Sequence, residues 1–286
     1  MKRSFSSWFL PILSTILSFF IIYIPVILIF VMSFTYTNSL SEIGADHLTL
    51  RWYASLFTND YNSLEIASRY ASNIDTLKDA ILNTLLITTL STAISTVFGT
   101  IFAIGINSFS KKIRSFLMMM NNIPVINPDI VTGFLLLLIF VLLETFTGLE
   151  RGFITVLIAH IFFSIPYVVL SVLPRLKQID PNTYEAARDL GCTRFSAVTK
   201  AIVPAIMTGI ITGALFAFTM SIDDFVITMF VSGREFFNVS TWIDNSMRRS
   251  YIPKTVYAFN VIVFSIAFLA LIISKFTKKQ SKGELV

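Results

Sequence analysis

Five stretches of this chain carry no charged side chain: Ser4–Ser41, Ala80–Ser110, Gly152–Pro174, Ala201–Ile222 and Thr255–Ser274. Each is long enough to hold the ~20 residues that a helix needs to cross hydrocarbon. The 286 residues agree with this reading: 55% are hydrophobic, 28 are Phe and only 14% are charged, and the mean hydropathy is +0.75, far from a soluble globular average. A sixth span is expected around Phe116–Leu143, where uncharged stretches flank Asp129 and the turn-forming Pro124 and Pro128; it reads as an interrupted helix. The expectation is an all-α integral membrane protein of six transmembrane helices, near residues 8–33, 80–107, 116–143, 153–174, 203–231 and 255–276.

Lys and Arg accumulate on cytoplasmic loops and so orient such a bundle. With both ends inside, the inner segments hold 14 of the 22 basic residues, among them Lys2, Arg3, Lys111, Lys112, Arg114, Arg175, Lys177, Arg188, Arg194, Lys200 and Lys275. The loop Gly233–Lys254 dissents, with four basic residues against Glu235 and Asp244. Reversing the chain would place the larger excess outside, so the expected orientation is N-in, C-in. The first apolar stretch runs well beyond a signal-peptide core and reads as a retained anchor.

The net charge of +5 reflects those loops, and no basic run with interleaved stacking aromatics points to nucleic acid. A single cysteine, Cys192, excludes an intrachain disulfide or a cysteine metal cluster and reads as a small structural residue. Two outer loops are substantial. The first, Asn38–Asp79, contains Arg51-Trp52-Tyr53-Ala54-Ser55-Leu56-Phe57, which suits a short helix anchored at the membrane interface. The second, Gly233–Lys254, suits a small re-entrant or surface helix.

One polar segment separates the fourth and fifth apolar stretches. Asp180 can cap a helix, Pro181 suits its first turn, and Gly191 can take the left-handed conformation that ends it after about three turns. A second short helix then starts near Thr193. Glu185-Ala186-Ala187 places one charge beside two residues small enough for another backbone to approach closely. A helix entering a groove on a partner needs those properties.

This segment resembles the EAA motif of permease subunits of binding-protein-dependent ABC importers: Glu-Ala-Ala, three residues, Gly, nine residues, then Ile-x-Leu-Pro. Glu185, Ala186, Ala187, Gly191 and Pro204 stand in register, while Ala201 and Val203 replace the Ile and Leu with other apolar residues. Further segments are similar to spermidine/putrescine permeases of the C type: Asn127-Pro128-Asp129-Ile130-Val131, His160, Pro166-Tyr167-Val168, Arg175-Leu176-Lys177 and Phe218 to Val226, with Trp52-Tyr53 before the second span.

The resemblance implies a single transmembrane permease domain over residues 1–286 with the MetI-like fold of type I ABC importers, in the cytoplasmic membrane. It implies that residues 181–200 form coupling helices docking on an ATP-binding subunit dimer. A second permease subunit, forming a heterodimer, and an extracytoplasmic binding protein that delivers polyamine complete the partners. The sequence contains no Gly-x4-Gly-Lys-Ser/Thr phosphate loop. No cofactor is therefore expected on this chain, and ATP and Mg are expected on the partner ATPase. The chain is read as a transport subunit and not as an enzyme.

Ionised Asp at bilayer depth costs at least ~2.5–3.5 kcal/mol, so such residues usually face a bundle interior or a water-filled cavity. Asp129, Asp223 and Asp224 are accordingly the candidate substrate-pathway residues, able to offset the lost hydration of a cationic amine. With ~1.5 Å per helical residue, Asp223 is expected about 28 Å from Pro204 and about 15 Å from Gly233, in the outer half of the path. The competing reading makes these acids helix caps or partners of a neighbouring span. His160 reads as an interhelical hydrogen-bonding residue more readily than as a proton relay or ligand, and Phe216, Phe218 and Phe225 read as packing more readily than as a gate.

A secondary transporter could couple such carboxylates to protons or sodium, and a membrane enzyme could use an Asp pair to hold a metal. Neither has a use for the segment from Glu185 to Pro204. Within the ABC class, a permease for another small cationic or chelated solute is the alternative to one for polyamines.

Overall fold

The structure is a computed structural model that describes residues 6–35, 48–58, 68–180, 182–248, 254–266 and 269. The expectations for Pro181 and for the last span beyond Ile266, apart from Leu269, lie outside the described residues. All the extended elements are helices: α1 (Ser6–Ser33), α2 (Arg51–Phe57), α3 (Ser68–Ser108), α4 (Lys111–Ile126), α5 (Asp129–Thr147), α6 (Phe153–Leu176), α7 (Thr183–Asp189), α8 (Arg194–Ala197), a π-helical turn (Val198–Ile202), α9 (Val203–Ala205), α10 (Met207–Ile222), α11 (Val226–Val231) and α12 (Val239–Arg248), followed by α13 (Thr255–Ile266). Among the described residues, four helices are long and apolar enough to cross a membrane, within α1, α3, α5 and α6, and a bent pair ending in α10 makes up to five.

The chain divides into two compact units, Met1–Lys78 with Arg249–Val286, and Asp79–Arg248. In the first unit, α2 is the short helix expected from its aromatic residues, but it is not a free interfacial anchor. Trp52 is buried in a small cluster with Ile74 and Ala258. Its indole Nε1–H donates to the Thr35 carbonyl at 3.2 Å, which satisfies the one polar group that would oppose burial. Ser55 and Thr255 hydroxyls meet at 3.0 Å in the same unit.

The second unit is organised around α6. Gly99 of α3 and Gly213 of α10 both abut Val168: a Cβ on Gly99 would lie 2.7 Å from Val168 Cβ, and one on Gly213 would lie 3.0 Å from Val168 Cα. A Cβ on Gly209 would lie 3.0 Å from the Ser171 carbonyl oxygen. Gly209, Gly213, Ala217 and Ser221 are all buried and recur every four residues, the small-residue seam that lets two membrane helices approach closely. On the other side, Gly133 of α5 admits the ring of Phe230 of α11. Leu136, Phe140, Val156, Phe163, Ile227 and Val231 fill the space around that contact.

The stretch 116–143 is interrupted as expected, but its first part belongs to α4, which begins at Lys111. The break falls at Asn127-Pro128, where Pro128 has ψ 139, an extended conformation. The long apolar helix of this stretch is then α5 alone, ended by Gly148 at φ +69. Only Phe109 and Ser110 connect α3 to α4, because Lys111, Lys112 and Arg114 lie inside α4. The Arg114 guanidinium donates to the carbonyls of Asn107 and Phe109 at the end of α3, supplying donors where helix carbonyls lack partners.

The stretch 203–231, expected as one span, is not one straight helix. The segments Arg194–Ala205 and Met207–Ile222 meet at 74°, and the chain leaves the helix again between α10 and α11 at Asp223–Phe225. Straight-rod distances from Pro204 to Asp223 therefore do not apply. The first break falls at Ile206, φ −100 and ψ 7, two residues after Pro204. Pro204 has no N–H and its ring crowds the carbonyl four residues earlier, and the wide π-helical turn immediately before it, with Val203 N–H donating to the Val198 carbonyl, gives that ring room.

Candidate functional site

Two constellations emerge, one on the polar segment and one at the break between α10 and α11. In the polar segment, Asp180 Oδ1 accepts from Asn182 N at 2.8 Å, and α7 follows from Thr183 to Asp189, two turns where about three were expected. Its end is a Schellman motif: Cys192 N–H donates to the Ala187 carbonyl at 3.2 Å and Gly191 N–H to the Arg188 carbonyl at 3.0 Å. Gly191 takes φ +87, which an L side chain rarely adopts. Thr193 then caps α8, its Oγ1 accepting from Ser196 N at 3.2 Å.

Glu185 and Ala186 are exposed and Ala187 is half-buried. Glu185 lines an open concavity of about 480 Å³ with Tyr184, Arg188, Asp189 and Arg194. The sequence reading missed two neighbours: Leu190 is 87% exposed and Phe195 79%, large apolar residues on an otherwise charged projection. Pro204, exposed, lies at the bend and not on the projection. The segment is thus a largely exposed pair of short helices joined through π-helical backbone to α9 and, across the 74° bend, to α10.

The second constellation divides the three candidate acids. Asp129 is exposed at the first position of α5, on a different helix from the other two. Asp223 is exposed at the end of α10. The Asp224 side chain is only 8% exposed and turns inward to cap α11: Oδ1 accepts from Ile227 N at 3.2 Å, and Oδ2 accepts from Thr228 N at 2.8 Å and Thr228 Oγ1 at 2.7 Å. The capping alternative therefore describes the geometry of Asp224.

His160 of α6 meets this cap. Its side chain is 1% exposed, with Nε2 3.0 Å from Thr228 Oγ1 and 3.5 Å from Asp224 Oδ2, and with Nδ1 2.7 Å from Ser221 Oγ. Thr228 has a single hydroxyl proton, directed at Asp224, so its oxygen accepts from the Nε2–H of His160. Nδ1 and Ser221 Oγ share the second hydrogen bond at that distance, its direction depending on the tautomer. Ser221 also meets Ser91 of α3 at 3.0 Å. Asn238 Nδ2 closes the far side on the Asp224 carbonyl at 2.7 Å. One hydrogen-bonded network thus ties α3, α6, α10 and α11 at the point where the fifth apolar stretch breaks. Ser91, Thr228 and Asn238 had no motif to mark them, and their only signal was polarity within apolar surroundings; Ser221 lay within the segment Phe218 to Val226 without being singled out.

A family model described as binding-protein-dependent transport system inner membrane component matches residues 95–279, which include the polar segment and all of the network at the break except Ser91. The chain belongs to this family. Members are multi-pass proteins of the cytoplasmic membrane, and this chain is a permease of the ABC importer class; the ion-coupled carrier and membrane-enzyme readings fall away. It is 30% identical over 263 residues to the spermidine/putrescine transport system permease protein PotC of Escherichia coli (strain K12), covering 92% of this chain and 91% of that one. It is 31% identical over 260 residues to the putrescine transport system permease protein PotI of the same strain, covering 87% and 83%. A crystal structure of a bacterial ABC transporter involved in import of the acidic polysaccharide alginate shares the fold with a TM-score of 0.62 at 16% identity, covering 96% of each chain. One of an amino acid ABC transporter does so with a TM-score of 0.51 at 23% identity, covering 78% of this chain and 99% of that one. The permease is accordingly an all-helical protein of the type I ABC importer fold.

Proposed function

We propose that this permease is one of two membrane-spanning subunits of an ATP-driven importer that carries polyamines across the cytoplasmic membrane. The observation that carries the cargo is the similarity to polyamine permeases along nine-tenths of the chain. Six spans with both termini inside place the segment 181–200 on the cytoplasmic face. There Glu185, Ala186, Ala187 and Gly191 form the surface that docks on an ATP-binding subunit, with Pro204 at the bend through which its movement reaches α10. ATP and Mg²⁺ are handled by a dimer of that subunit, since the sequence contains no phosphate loop. A second permease completes the path, and an extracytoplasmic binding protein delivers cargo. Asp129, Asp223 and Asp224 belong to the pathway, as ligands or as its supports.

The test is to purify the permease with its partner permease and ATPase, reconstitute the complex in liposomes, and add binding protein loaded with putrescine or spermidine. Loaded binding protein should stimulate ATP hydrolysis and polyamine uptake together. Stimulation only by another cationic or chelated solute would reassign the cargo and leave the transporter class intact.

A further inference from the structure

Three helices of the second unit each lend one turn to a pit on the side of the bundle. Phe98 and Phe102 of α3, Met120 and Pro124 of α4, and Phe162 and Pro166 of α6 line it, and its volume is about 410 Å³. The four-residue spacing puts both members of each pair on one face of their helix, about 6 Å apart along the axis. Phe98, Phe102, Met120 and Phe162 are exposed, so the mouth of the pit is open. Asn121 is the one polar side chain of the lining; it is buried, and its amide donates to Asn122 Oδ1 at 3.4 Å. Such a lining suits hydrocarbon. The shape suits a chain and not a helix, because a helix with its side chains is about 10–12 Å across and the pit is one turn long.

The pit also lies at a set depth below a cationic corner. Phe102 stands six residues before Ser108, the end of α3, and Met120 nine residues after Lys111, the start of α4. At ~1.5 Å per residue, the pit begins about 9–14 Å from the junction of the two helices. One leaflet of a hydrocarbon core is about 15 Å deep, so an acyl chain anchored at the junction reaches the pit with its end. Lys111 and Lys112 stand at that junction, both exposed, and neither has an ion pair among the described residues. Arg114 is turned back onto the carbonyls of Asn107 and Phe109. Lys112 heads an apolar face of α4: with about 100° between successive residues, Lys112, Phe116, Met119, Met120 and Ile123 fall within an arc of about 100°, and all five are exposed. That face leads from the cations to the rim of the pit.

We propose that the α3–α4 junction and the pit form a binding site for one anionic phospholipid, its phosphate on Lys111 and Lys112 and the end of one acyl chain among the three phenyl and two proline rings. The lysines select the headgroup, each basic residue near the surface strengthening the hold on an anionic lipid about fivefold. The pit selects a chain lying along α4. Bound there, the lipid bridges α3, α4 and α6, and a ligand that binds only the folded state stabilises it. The site needs only that the protein spans a membrane and is independent of the cargo.

The experiment uses the complete transporter, both permeases with the ATPase, purified in an uncharged detergent. Dioleoyl phosphatidylglycerol titrated into it should raise the thermal midpoint, and dioleoyl phosphatidylcholine or inorganic phosphate should not. Lys111→Gln and Lys112→Gln should each lower the apparent affinity for phosphatidylglycerol about fivefold, while Lys111→Arg and Lys112→Arg retain it. The second measurement places the transporter in vesicles of phosphatidylcholine and phosphatidylglycerol, the latter carrying a diazirine near the end of one chain. Light should crosslink it to residues 98–102, 120–124 and 162–166 in preference to the exposed apolar face of α5. Met120→Trp, which fills the pit from its rim, should abolish those crosslinks and leave the stability in phosphatidylcholine unchanged.

Equal stabilisation by the two lipids overturns the proposal, as does an unchanged response of the variant that carries both Lys111→Gln and Lys112→Gln. Crosslinks no denser at the pit than on α5 do the same. Loss of the partner permease from the Met120→Trp complex also overturns it, since the pit would then seat a side chain of that subunit.

Discussion

The Nε2 of His160 on α6 meets the hydroxyl of Thr228 on α11 at 3.0 Å, joining one span to the far side of the break in another. Both side chains are buried, so neither has water to replace the other.

Thr228→Val keeps the shape of the side chain and removes the hydroxyl. It leaves the His160 N–H without its acceptor and takes one of the donors from Asp224. The expected destabilisation is about 1–3 kcal/mol, read as a lower thermal midpoint of the purified complex in detergent. Thr228→Ser, which keeps the hydroxyl, should lose less than half as much.

Gly213→Val should disturb the α6–α10 seam, because the added atoms meet Val168 Cα at 3.0 Å and backbone yields little. Overpacking of this kind costs about 1–3 kcal/mol. Gly105→Ala is the control, since a Cβ there meets nothing within 4 Å. Thermal stability and yield of the assembled complex should fall for the first variant and hold for the second.

Gly191→Ala isolates backbone strain from sterics. No atom lies within 4 Å of the added Cβ, yet φ is +87, a region that costs an L residue roughly 1–2 kcal/mol. The variant should insert and assemble with its spans intact but couple poorly, with ATP hydrolysis less responsive to loaded binding protein. Full coupling in liposomes would remove the Schellman turn from the docking surface.

Leu190→Ser and Phe195→Ser should leave the stability of the permease within about 0.5 kcal/mol, as exposed positions do. Each should weaken retention of the ATP-binding subunit, by up to about 1.5–3 kcal/mol if that contact buries the whole side chain. Co-purification across a salt series measures the effect, and undiminished retention by the double variant would place the docking contact elsewhere on the projection.

Much of this architecture is legible in one dimension, because lipid imposes length and apolarity on whatever crosses it. The start of α6, the end of α7 at Gly191 and the start of α8 at Thr193 follow from charge-free runs and capping chemistry. The fifth stretch was misread as a single rod because hydropathy has no term for direction. Ile202 to Ile222 carries no charged side chain, whether the helix is straight or bent by 74° at Ile206. Trp52 was placed at the interface for the same reason: its amphipathic ring suits lipid headgroups and a protein interior equally, and only the Thr35 carbonyl 3.2 Å from its Nε1 chooses between them.

The sequence alone determined that this is a multi-span membrane protein with a structured polar projection, and the register of Glu185, Gly191 and Pro204 marked its family, because those constraints act on neighbours along the chain. Only the tertiary structure separated Asp223 from Asp224. Adjacent residues have the same composition, hydropathy and charge, and which of them turns inward depends on where α6 brings His160 and where α11 brings Thr228, partners 60 or more positions away from His160 in the chain.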